Sequence, residues 1–432
     1  MALDERGILF TWGMGSQGCL GNGKLKDVLE PTPINSSVVK ATYAFENEHD
    51  VKFKDISCGS YHSMALAISE DLYTWGANSR GQLGHGNTNN IMKPRKIVYF
   101  TEEKIGLLSI AAGDQHSAAI SSNNELYTWG CGAYYRLGHG LAFDESIPKK
   151  VEVLEDVYVT QVSCGASHTL CITNEGFIYG WGNGMCGKLG IEEKCTKNYI
   201  LPTRVGTYLG KFRRKQFQEV CAGPLHSLTL TEDGMIYAWG SSKNGILGLD
   251  RRNEDVYLPS KITNLRFSHK NYGKKLESNI KFLNIYFLQQ FYEPDKILYK
   301  EDELKICALT CAVKNTFFLT QEGKLYCAGS NQYGLLVKNP LKNQQVIVDQ
   351  VNSLKNQEKI ANAASPGLSS ASLKSMGKSP KASAHHEKKL QKKLEREWGP
   401  TPIHYFKKKM IFIACSYNHA LALNETGRVY AW

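Results

Sequence analysis

The sequence predicts an all-β protein: a β-propeller of four-stranded blades, with seven blades and a basic insertion that is disordered or helical. The first observation behind this prediction is that a histidine and a tryptophan recur thirteen residues apart. The second is the strand that leads to each tryptophan position, where an aliphatic and then an aromatic residue stand in all seven copies. The third is a glycine-rich loop that follows and ends in leucine, usually with glycine after it.

The histidines and tryptophans of the repeat are expected to be structural, with imidazoles bonded to neighbouring groups and indoles packed between blades. The histidines are His62, His116, His168, His226 and His419, and the tryptophans are Trp12, Trp75, Trp129, Trp181, Trp239 and Trp432. A degenerate copy has Asn315 and Ala328 at these two positions. Trp12 belongs to a copy that holds only the second half of the repeat.

Each unit reads as a hairpin followed by further short strands. A run of small and apolar residues around the histidine meets a turn such as Asn174-Glu175-Gly176, and then the aromatic strand. This turn chemistry and strand composition predict a β-hairpin. Successive tryptophans lie 63, 54, 52 and 58 residues apart, which leaves room for four strands and their loops. One such sheet cannot cover both of its apolar faces, so we expect several sheets to stack around an axis.

The chain divides into three stretches. Residues 1–337 hold the first six repeats, with an insertion at about 264–305. Residues 338–409 form a basic low-complexity insertion with a short helix over 385–398. Residues 410–432 are the last repeat, which closes the propeller. Because the chain starts and ends inside a repeat, we expect its two ends to share one blade. The strands that should follow Trp432 are missing, which suggests that the chain is cut or that the native protein continues. A six-bladed ring with a redundant last strand is the alternative.

The repeat motifs resemble those of a known family. Hairpins that read G-x-x-H-[ST]-x-x-L, then Leu-Tyr-x-Trp-Gly and Gly-Gln-Leu-Gly, are similar to the regulator of chromosome condensation repeats, over most of residues 1–337 and 411–432. The resemblance implies a seven-bladed β-propeller. It also implies protein partners, because the founding member exchanges guanine nucleotide on a small GTPase and other relatives occur in ciliary proteins, ubiquitin ligases and kinases. The projecting hairpin that the founding member presses on its GTPase cannot be placed on this sequence.

The positive charge is concentrated in one segment. The chain has a net charge of +11, and residues 338–409 hold fifteen Lys and Arg against five Asp and Glu, so the rest is nearly neutral. Nucleic acid or another polyanion is therefore expected to bind only through residues 374–409.

The cysteines and the hydropathy pattern indicate an intracellular protein. Five of the twelve cysteines are assigned to one equivalent strand position, typical of a small apolar core residue: Cys58, Cys164, Cys221, Cys311 and Cys415. Thiols in such places predict a reduced, intracellular protein, and we favour the cytoplasm, the cytoskeleton or the cilium over the nucleus as its location. No stretch approaches eighteen uncharged apolar residues, so we expect no membrane span.

Catalytic, metal and cofactor sites are not expected. The histidines occupy equivalent places in different blades, so a ring separates them instead of gathering them around one ion. Glycine-rich loops such as residues 182–187 precede no helix, and we interpret them as tight turns and not as phosphate cradles. Paired carboxylates, an activated serine or a Cys/His dyad do not stand out. The sequence therefore predicts no enzyme activity.

Two departures from the repeat are the candidate partner-binding sites. In the third copy Tyr135 replaces a glycine that stands at Gly18, Gly81, Gly187, Gly245 and Gly334. Tyr134, Tyr135 and Arg136 are then expected at a blade edge as interface anchors, and packing on the adjacent loop is the alternative. The second departure is the helix over 385–398, where Leu390, Leu394 and Trp398 form a stripe. Its remaining faces carry Lys388, Lys389, Lys392, Lys393 and Arg396, typical of contact with an acidic partner or of a solvated linker.

The function predicted from these features is a non-enzymatic interaction scaffold. The propeller loops would bind protein partners, and the basic insertion would tether the protein to an acidic partner. Guanine nucleotide exchange on a small GTPase is one alternative, and binding to cytoskeletal, ciliary or polyanionic surfaces through the insertion is another.

Overall fold

The computed structural model consists of seven antiparallel β-sheets that follow one another in a β-propeller. It describes residues 1–34, 51–194, 196–207, 209–210, 212, 215–249, 254–263, 305–329, 401–403, 406, 408–415 and 420–431. The sheets are numbered 1 to 7 in chain order, and the seven-bladed prediction is confirmed, while the six-bladed alternative is wrong.

Five of the sheets, sheets 2 to 6, have four strands each, and in each of them the strands pair in the order of the sequence. Sheet 2 has β4 Phe53–Cys58, β5 His62–Ala67, β6 Leu72–Gly76 and β7 Ile91–Lys96, and sheet 3 has β8 Leu107–Ala112, β9 His116–Ser121, β10 Leu126–Gly130 and β11 Glu145–Lys150. Sheet 4 has β12 Val159–Cys164, β13 His168–Thr173, β14 Ile178–Gly182 and β15 Tyr199–Arg204, and sheet 5 has β16 Phe217–Ala222, β17 His226–Thr231, β18 Ile236–Gly240 and β19 Val256–Lys261. Sheet 6 has β20 Ile306–Cys311, β21 Asn315–Thr320, β22 Leu325–Gly329 and β23 Thr401–Pro402.

The two ends of the chain form separate three-stranded sheets. Sheet 1 has β1 Ala2–Leu3, β2 Leu9–Gly13 and β3 Val28–Pro33, and sheet 7 has β24 Met410–Cys415, β25 Ala420–Asn424 and β26 Val429–Ala431. Their described residues pair only within their own sheet, so the expectation that both ends share one blade is wrong. The repeat register explains this. Strand β2 is the first copy of the strand that leads to the tryptophan position, and β26 is the last copy, so each end supplies its own copy of the same strand.

The predicted hairpin is the centre of each complete sheet. Its second and third strands pair without a bulge, so that in sheet 3 His116 faces Gly130 and Ser117 faces Trp129. The first and second strands pair with a bulge near the start of the first strand, between Leu107 and Ser109 in the same sheet. The alternation of a strand then brings histidine and tryptophan to fixed places at one end of every hairpin.

The first strands of neighbouring sheets contact one another and therefore lie nearest the propeller axis. The fourth strands lie at the outer edge, and each of those in sheets 2 to 5 carries a proline at its fourth residue: Pro94, Pro148, Pro202 and Pro259. A proline has no N–H to offer to an added strand, so these edges resist pairing with another chain.

The core lies between the sheets. The largest cluster of buried apolar side chains runs from Leu170 in sheet 4 through Trp239 in sheet 5 to Phe318 in sheet 6. Among the described residues the one α-helix is α1, Val98–Glu102, between sheets 2 and 3. Antiparallel order places two loops of each sheet at the same end, namely the loop between its first and second strands (the AB loop) and the loop between its third and fourth strands (the CD loop).

One predicted equivalence of residues is wrong. Cys58, Cys164, Cys311 and Cys415 are the last residues of their first strands, but Cys221 is the fifth residue of β16, where Ala222 is last. The pairing of Ala222 with Ser227, and of Cys58 with Ser63, fixes this register. Cys58 is exposed and Cys164 is buried, so the position is not uniformly a core site.

Candidate interaction surface

Neighbouring sheets are joined by one carbonyl group that accepts two hydrogen bonds. Between sheets 2 and 3 the acceptor is the backbone oxygen of Gln82, in the CD loop of sheet 2. Trp129 donates its indole Nε1–H to it over 3.0 Å, and Ser117 donates its hydroxyl over 2.8 Å. We name this arrangement the seam clamp, and it explains why the repeat needs both the tryptophan and the hydroxyl residue after histidine.

The seam clamp is repeated at the seams that join sheets 1 to 5. Cys19 O accepts from Trp75 Nε1 at 3.0 Å and from Ser63 Oγ at 2.9 Å. Arg136 O accepts from Trp181 Nε1 at 2.9 Å and from Thr169 Oγ1 at 2.7 Å. Lys188 O accepts from Trp239 Nε1 at 2.9 Å and from Ser227 Oγ at 2.7 Å. All four indoles are fully buried. Each carbonyl precedes the Leu-Gly pair of its loop, so the loop motif serves the neighbouring sheet.

The repeat histidines add another bond across the seams that join sheets 2 to 6. His62 Nε2 lies 3.0 Å from Ser117 Oγ, whose proton already goes to the Gln82 carbonyl. The imidazole therefore donates from Nε2, and its Nδ1 carries no proton. The same bond joins His116 to Thr169 and His168 to Ser227.

Glycine makes room for this imidazole. A Cβ on Gly113 would lie 2.5 Å from His116 Cε1, so the first residue of the G-x-x-H motif has to be glycine.

These imidazoles are neutral and are held apart. Burial lowers the pKa of His62 to about 4 and that of His226 to about 3. Burial likewise lowers the pKa of His116 and His168 well below the ordinary value. Within the described part of the chain, no three His, Cys, Asp or Glu side chains are arranged to hold a metal ion.

The seam between sheets 5 and 6 has an incomplete clamp. Its carbonyl, Ile246 O, accepts from Thr316 Oγ1 at 2.7 Å, but Ala328 stands at the tryptophan position and has no N–H to donate from its side chain. Sheet 6 also lacks the histidine for the next seam, and Asn315 takes its place with Nδ2 3.8 Å from Cys327 Sγ. The clamp of the degenerate copy thus has one bond where the other clamps have two, while His226 Nε2 still lies 3.2 Å from Thr316 Oγ1.

Polar side chains of the first strands make a second set of contacts near the axis. Gln161 Oε1 accepts from the backbone N–H of Val220 in the next sheet at 2.7 Å. Glu219 does the same one sheet further, accepting from Leu309 N at 3.2 Å. Glu219 is half-buried, and the loss of solvent raises its pKa to about 8, although the Leu309 N–H opposes this. Burial also raises the pKa of Asp55 to about 6.

The loop predicted as an interface anchor is strained. Tyr134 and Tyr135 both have left-handed backbone angles, with φ of 61° and 64°. The same two positions in sheet 5 carry Asn244 and Gly245, which suit these angles. A bulky side chain in this region costs about 1 kcal/mol or more per residue. Two consecutive tyrosines here are therefore not explained by the needs of the turn.

The three residues of the anchor differ in accessibility. Tyr134 is 49% exposed, but Arg136 is only 5% exposed and donates from Nη1 to Ala166 O at 2.7 Å and from Nε to Ala133 O at 2.9 Å. Arg136 thus packs at the seam, which agrees with the packing alternative for this residue. Its guanidinium carbon lies 5.7 Å from the Tyr134 ring centre and so supports that ring from below.

Exposed apolar side chains lie close to Tyr134. The backbone oxygen of Phe143 is packed against Gly132, two residues before Tyr134, and the Phe143 side chain is 71% exposed. Leu141 and Ile200 are also exposed, and Gly140 N donates to Ile200 O at 3.2 Å, which brings sheets 3 and 4 together here. Tyr134, Leu141, Phe143 and Ile200 are named the Tyr134 surface. Clustered apolar groups of this kind mark contact sites for other molecules.

Several predicted site residues lie outside the described residues. They are His419, Trp432, and the basic helix with Lys388, Lys389, Lys392, Lys393, Arg396 and Trp398. The described helix is too short to cross a membrane.

Two features escaped the sequence prediction. Lys188 is fully buried, donates from Nζ to Ser167 Oγ at 2.7 Å, and has its pKa lowered to about 8 by burial. Phe143 lies outside the repeat motif. No spacing marks either residue, although Lys188 occupies the same repeat position as Arg136.

The seam clamp, the G-x-x-H hairpins and seven sheets define a propeller built from one repeated unit. A family model for the RCC1-like domain matches residues 1–216, and models of the regulator of chromosome condensation (RCC1) repeat match residues 217–246, 233–271 and 411–432. The chain belongs to the RCC1 repeat family.

The relatives differ in size and in function. The chain is 32% identical over 263 residues to the ultraviolet-B receptor UVR8 of Arabidopsis thaliana, covering 61% of this chain and 55% of UVR8. It is 32% identical over 242 residues to the E3 ubiquitin-protein ligase HERC2 of Homo sapiens, covering 56% of this chain and 5% of HERC2. The chain thus spans about half of the first relative and a small part of the second.

Solved structures show the same fold. Yeast RCC1 (Prp20) bound to Kap60 matches with a TM-score of 0.65 at 20% identity, covering 100% of this chain and 80% of that chain. Human WBSCR16 matches with a TM-score of 0.63 at 17% identity, covering 98% and 88%.

Proposed function

We propose that the protein is a non-enzymatic interaction scaffold that binds a partner protein at the Tyr134 surface. The observation that carries this proposal is the pair of left-handed tyrosines, because the second position holds glycine in the other described copies of the turn and Tyr135 is strained there. Strain of this kind concentrates at functional sites, and tyrosine is a frequent interface anchor.

The surroundings of the tyrosines support the same proposal. Phe143 is exposed beside them, and rigid strands on both sides hold the loop in place. A partner that covers these side chains would remove apolar area from water at little cost in backbone entropy, because the loop is already ordered.

The test replaces both tyrosines by the residues of sheet 5, Tyr134→Asn with Tyr135→Gly. This change relieves the backbone, so the variant is expected to be at least as stable as the wild type while it captures less of the partner. Phe143→Ser is a second probe that leaves the tyrosine loop unchanged. Tyr158→Ser is the matched control, because Tyr158 is an equally exposed aromatic residue just before β12, at the opposite end of the sheet.

The measurement is an affinity capture from cell extract, with the bound proteins quantified by mass spectrometry. A protein whose recovery falls about tenfold or more with both probes, and is unchanged with the control, supports the proposal. Equal recovery with all variants would refute it and leave the tyrosines as packing residues.

Guanine nucleotide exchange on a small GTPase is the second candidate. Its support is the likeness to Prp20p of Saccharomyces cerevisiae, whose structure was described together with its binding to Gsp1p and histones. At 20% identity this likeness concerns the fold, so activity has to be measured. Release of labelled GDP from a panel of small GTPases is expected to be unchanged by the protein, and acceleration of any member would favour exchange.

The basic insertion is proposed as a second contact, with an acidic partner. Its support is the excess of Lys and Arg over residues 338–409. Deletion of residues 340–400 is expected to abolish salt-sensitive binding to tubulin or RNA and to leave capture at the Tyr134 surface intact. An intracellular location, cytoplasmic, cytoskeletal or ciliary, is part of the proposal and is tested by imaging a tagged chain.

A further inference from the structure

Two thiols meet at the seam between sheets 5 and 6. Cys221 is the fifth residue of β16, and Cys311 is the last residue of β20. Cys311 Sγ lies 3.8 Å from the backbone oxygen of Cys221, and the two thiol groups also contact each other. Adjacent thiols on neighbouring strands are the geometric condition for a disulfide.

Cys221 and Cys311 are both partly exposed residues, whereas Cys164 and Cys171 in sheet 4 are buried. A small oxidant in solution can therefore approach the pair without unfolding of the sheets.

This seam is the one at which an additional link would matter. Ala328 removes the indole donor from its clamp, so that Ile246 O accepts one side-chain hydrogen bond from the next sheet where its counterparts accept two. The first strands are joined here by Glu219, whose contact with Leu309 N is long, at 3.2 Å. The histidine bond is also present here, but His226 Nε2 lies 3.2 Å from Thr316 Oγ1, further than in the three preceding seams.

We propose that Cys221 and Cys311 form a disulfide that joins sheets 5 and 6 when the protein meets a low-molecular-weight disulfide such as glutathione disulfide. In the first step the sulfur of one cysteine attacks glutathione disulfide, forms a mixed disulfide and releases one glutathione. In the second step the other sulfur displaces the second glutathione and forms the Cys221–Cys311 bond. The two thiols lose two electrons and two protons, and glutathione disulfide is reduced to two glutathione molecules.

The surroundings make Cys311 a slow nucleophile. Burial raises the pKa of Cys311 well above the ordinary value, and the neighbouring Cys221 thiol raises it further. Because a thiolate is the attacking species, the disulfide is expected to form faster as the pH rises. The resulting cross-link joins residues that are 90 positions apart in the chain, so it restricts the unfolded chain and stabilises the fold.

A third thiol is close enough to compete. Cys415 is on the first strand of sheet 7, and its Sγ lies 3.1 Å from Oγ1 of Thr310, the residue before Cys311. A disulfide from Cys311 to Cys415 would join sheets 6 and 7 instead, so the experiment has to identify the pair that forms.

The experiment treats the folded full chain with glutathione disulfide and measures its intact mass, followed by peptide mapping without reduction. The expected result is the loss of two hydrogens, a cross-linked peptide pair containing Cys221 and Cys311, and a melting temperature higher by several degrees, all reversed by dithiothreitol. Cys221→Ser and Cys311→Ser are each expected to stop at the mixed disulfide or to remain unmodified. Cys164→Ser, the control at the matching strand end of sheet 4, should still form the pair.

Three results would overturn the proposal. One is an unchanged mass after prolonged exposure, the second is a mapped pair that includes Cys415, and the third is formation of the pair only in the presence of denaturant. Since the mass measurement is made on the wild-type chain, it does not depend on whether a variant folds. It is also independent of the Tyr134 surface.

Discussion

Replacement of Glu219 by glutamine tests how the first strands are joined near the axis. The carboxyl accepts from Leu309 N at 3.2 Å, and Gln161 performs the same task one sheet earlier through its amide oxygen at 2.7 Å. Glutamine can therefore keep the hydrogen bond while it removes the titrating group. The variant separates the contact from its charge.

The sign of the pH effect follows from proton binding. The pKa of Glu219 rises from 4.5 to about 8 on folding because the side chain loses solvent. Between these values the folded chain keeps a proton that the unfolded chain has lost, so stability falls as pH rises. This contribution is fully present below pH 4.5 and is lost by about pH 8.

The size of the effect has a ceiling of about 5 kcal/mol, because one pKa unit corresponds to about 1.4 kcal/mol. Glu219 is only half-buried, and partial contact with water reduces the expected effect to about 2 kcal/mol. Glu219→Gln should thus match the wild type near pH 5 and be more stable by about 2 kcal/mol near pH 9.

The assay is urea unfolding at several pH values, with the free energy of unfolding of both proteins plotted against pH. Gln161→Glu is the reciprocal variant, and it should add a second decline of stability over a similar range. Parallel curves for wild type and Glu219→Gln would refute the reasoning, since they would mean that the carboxyl does not hold a proton in the folded state.

Three other tests concern the seams, and each is measured by urea unfolding. Trp129→Phe removes one bond of the seam clamp and some buried volume, and should cost about 2 kcal/mol, whereas an effect near zero would contradict a role for the indole N–H. Gly138→Ala should lower the free energy of unfolding more than Gly140→Ala does. Both glycines have φ of 79°, but a Cβ on Gly138 would lie 2.7 Å from Trp181 Nε1, whereas the nearest atom to a Cβ on Gly140 would be 3.5 Å away. Equal losses of stability would count against the contact with Trp181. Lys188→Gln removes a buried cation with a pKa of about 8. Between about pH 8 and pH 10.5 the folded wild type binds fewer protons than the unfolded chain, so its stability should rise relative to that of the variant. A constant difference in stability would show that burial does not lower the pKa of Lys188.

The blades could be predicted from the sequence because side-chain spacing and strand geometry are tied together. Thirteen residues from His116 to Trp129 fix a hairpin whose ends meet, and the structure pairs its strands without a bulge. The same logic located the degenerate copy at Asn315 and Ala328.

The seam clamp itself could not be predicted, since its acceptor is a backbone carbonyl. Gln82, Arg136 and Lys188 contribute the same oxygen although their side chains differ, so the residue identities carry no signal. The side chains also mislead, because arginine and lysine suggest a surface position. Burial of Arg136 becomes evident only when the neighbouring sheet supplies the Ala166 carbonyl.

The fate of the chain ends and of Cys221 shows a second limit. A repeat pattern gives the order of the units but not the sheet to which an incomplete unit belongs. In sheet 1 the short strand β1 pairs with β2 and so takes the place beside it. The shift of Cys221 by one position arises because β16 ends in Cys-Ala where β12 ends in Ser-Cys. The Tyr134 surface could be anticipated in part, as Tyr135 stands where other copies have glycine.

The connections that lead from the fourth strand of one sheet to the first strand of the next contribute no atom to any seam clamp. In sheets 2 to 5 they run from Lys96 to Leu107, from Lys150 to Val159, from Arg204 to Phe217 and from Lys261 to Ile306. Their lengths are therefore not tied to the clamps, although Ile97 and Phe100 of the first connection pack in the core with Trp129. The ring can thus host foreign modules in these stretches, which makes them natural attachment points for reporters and an open route by which such proteins acquire new segments.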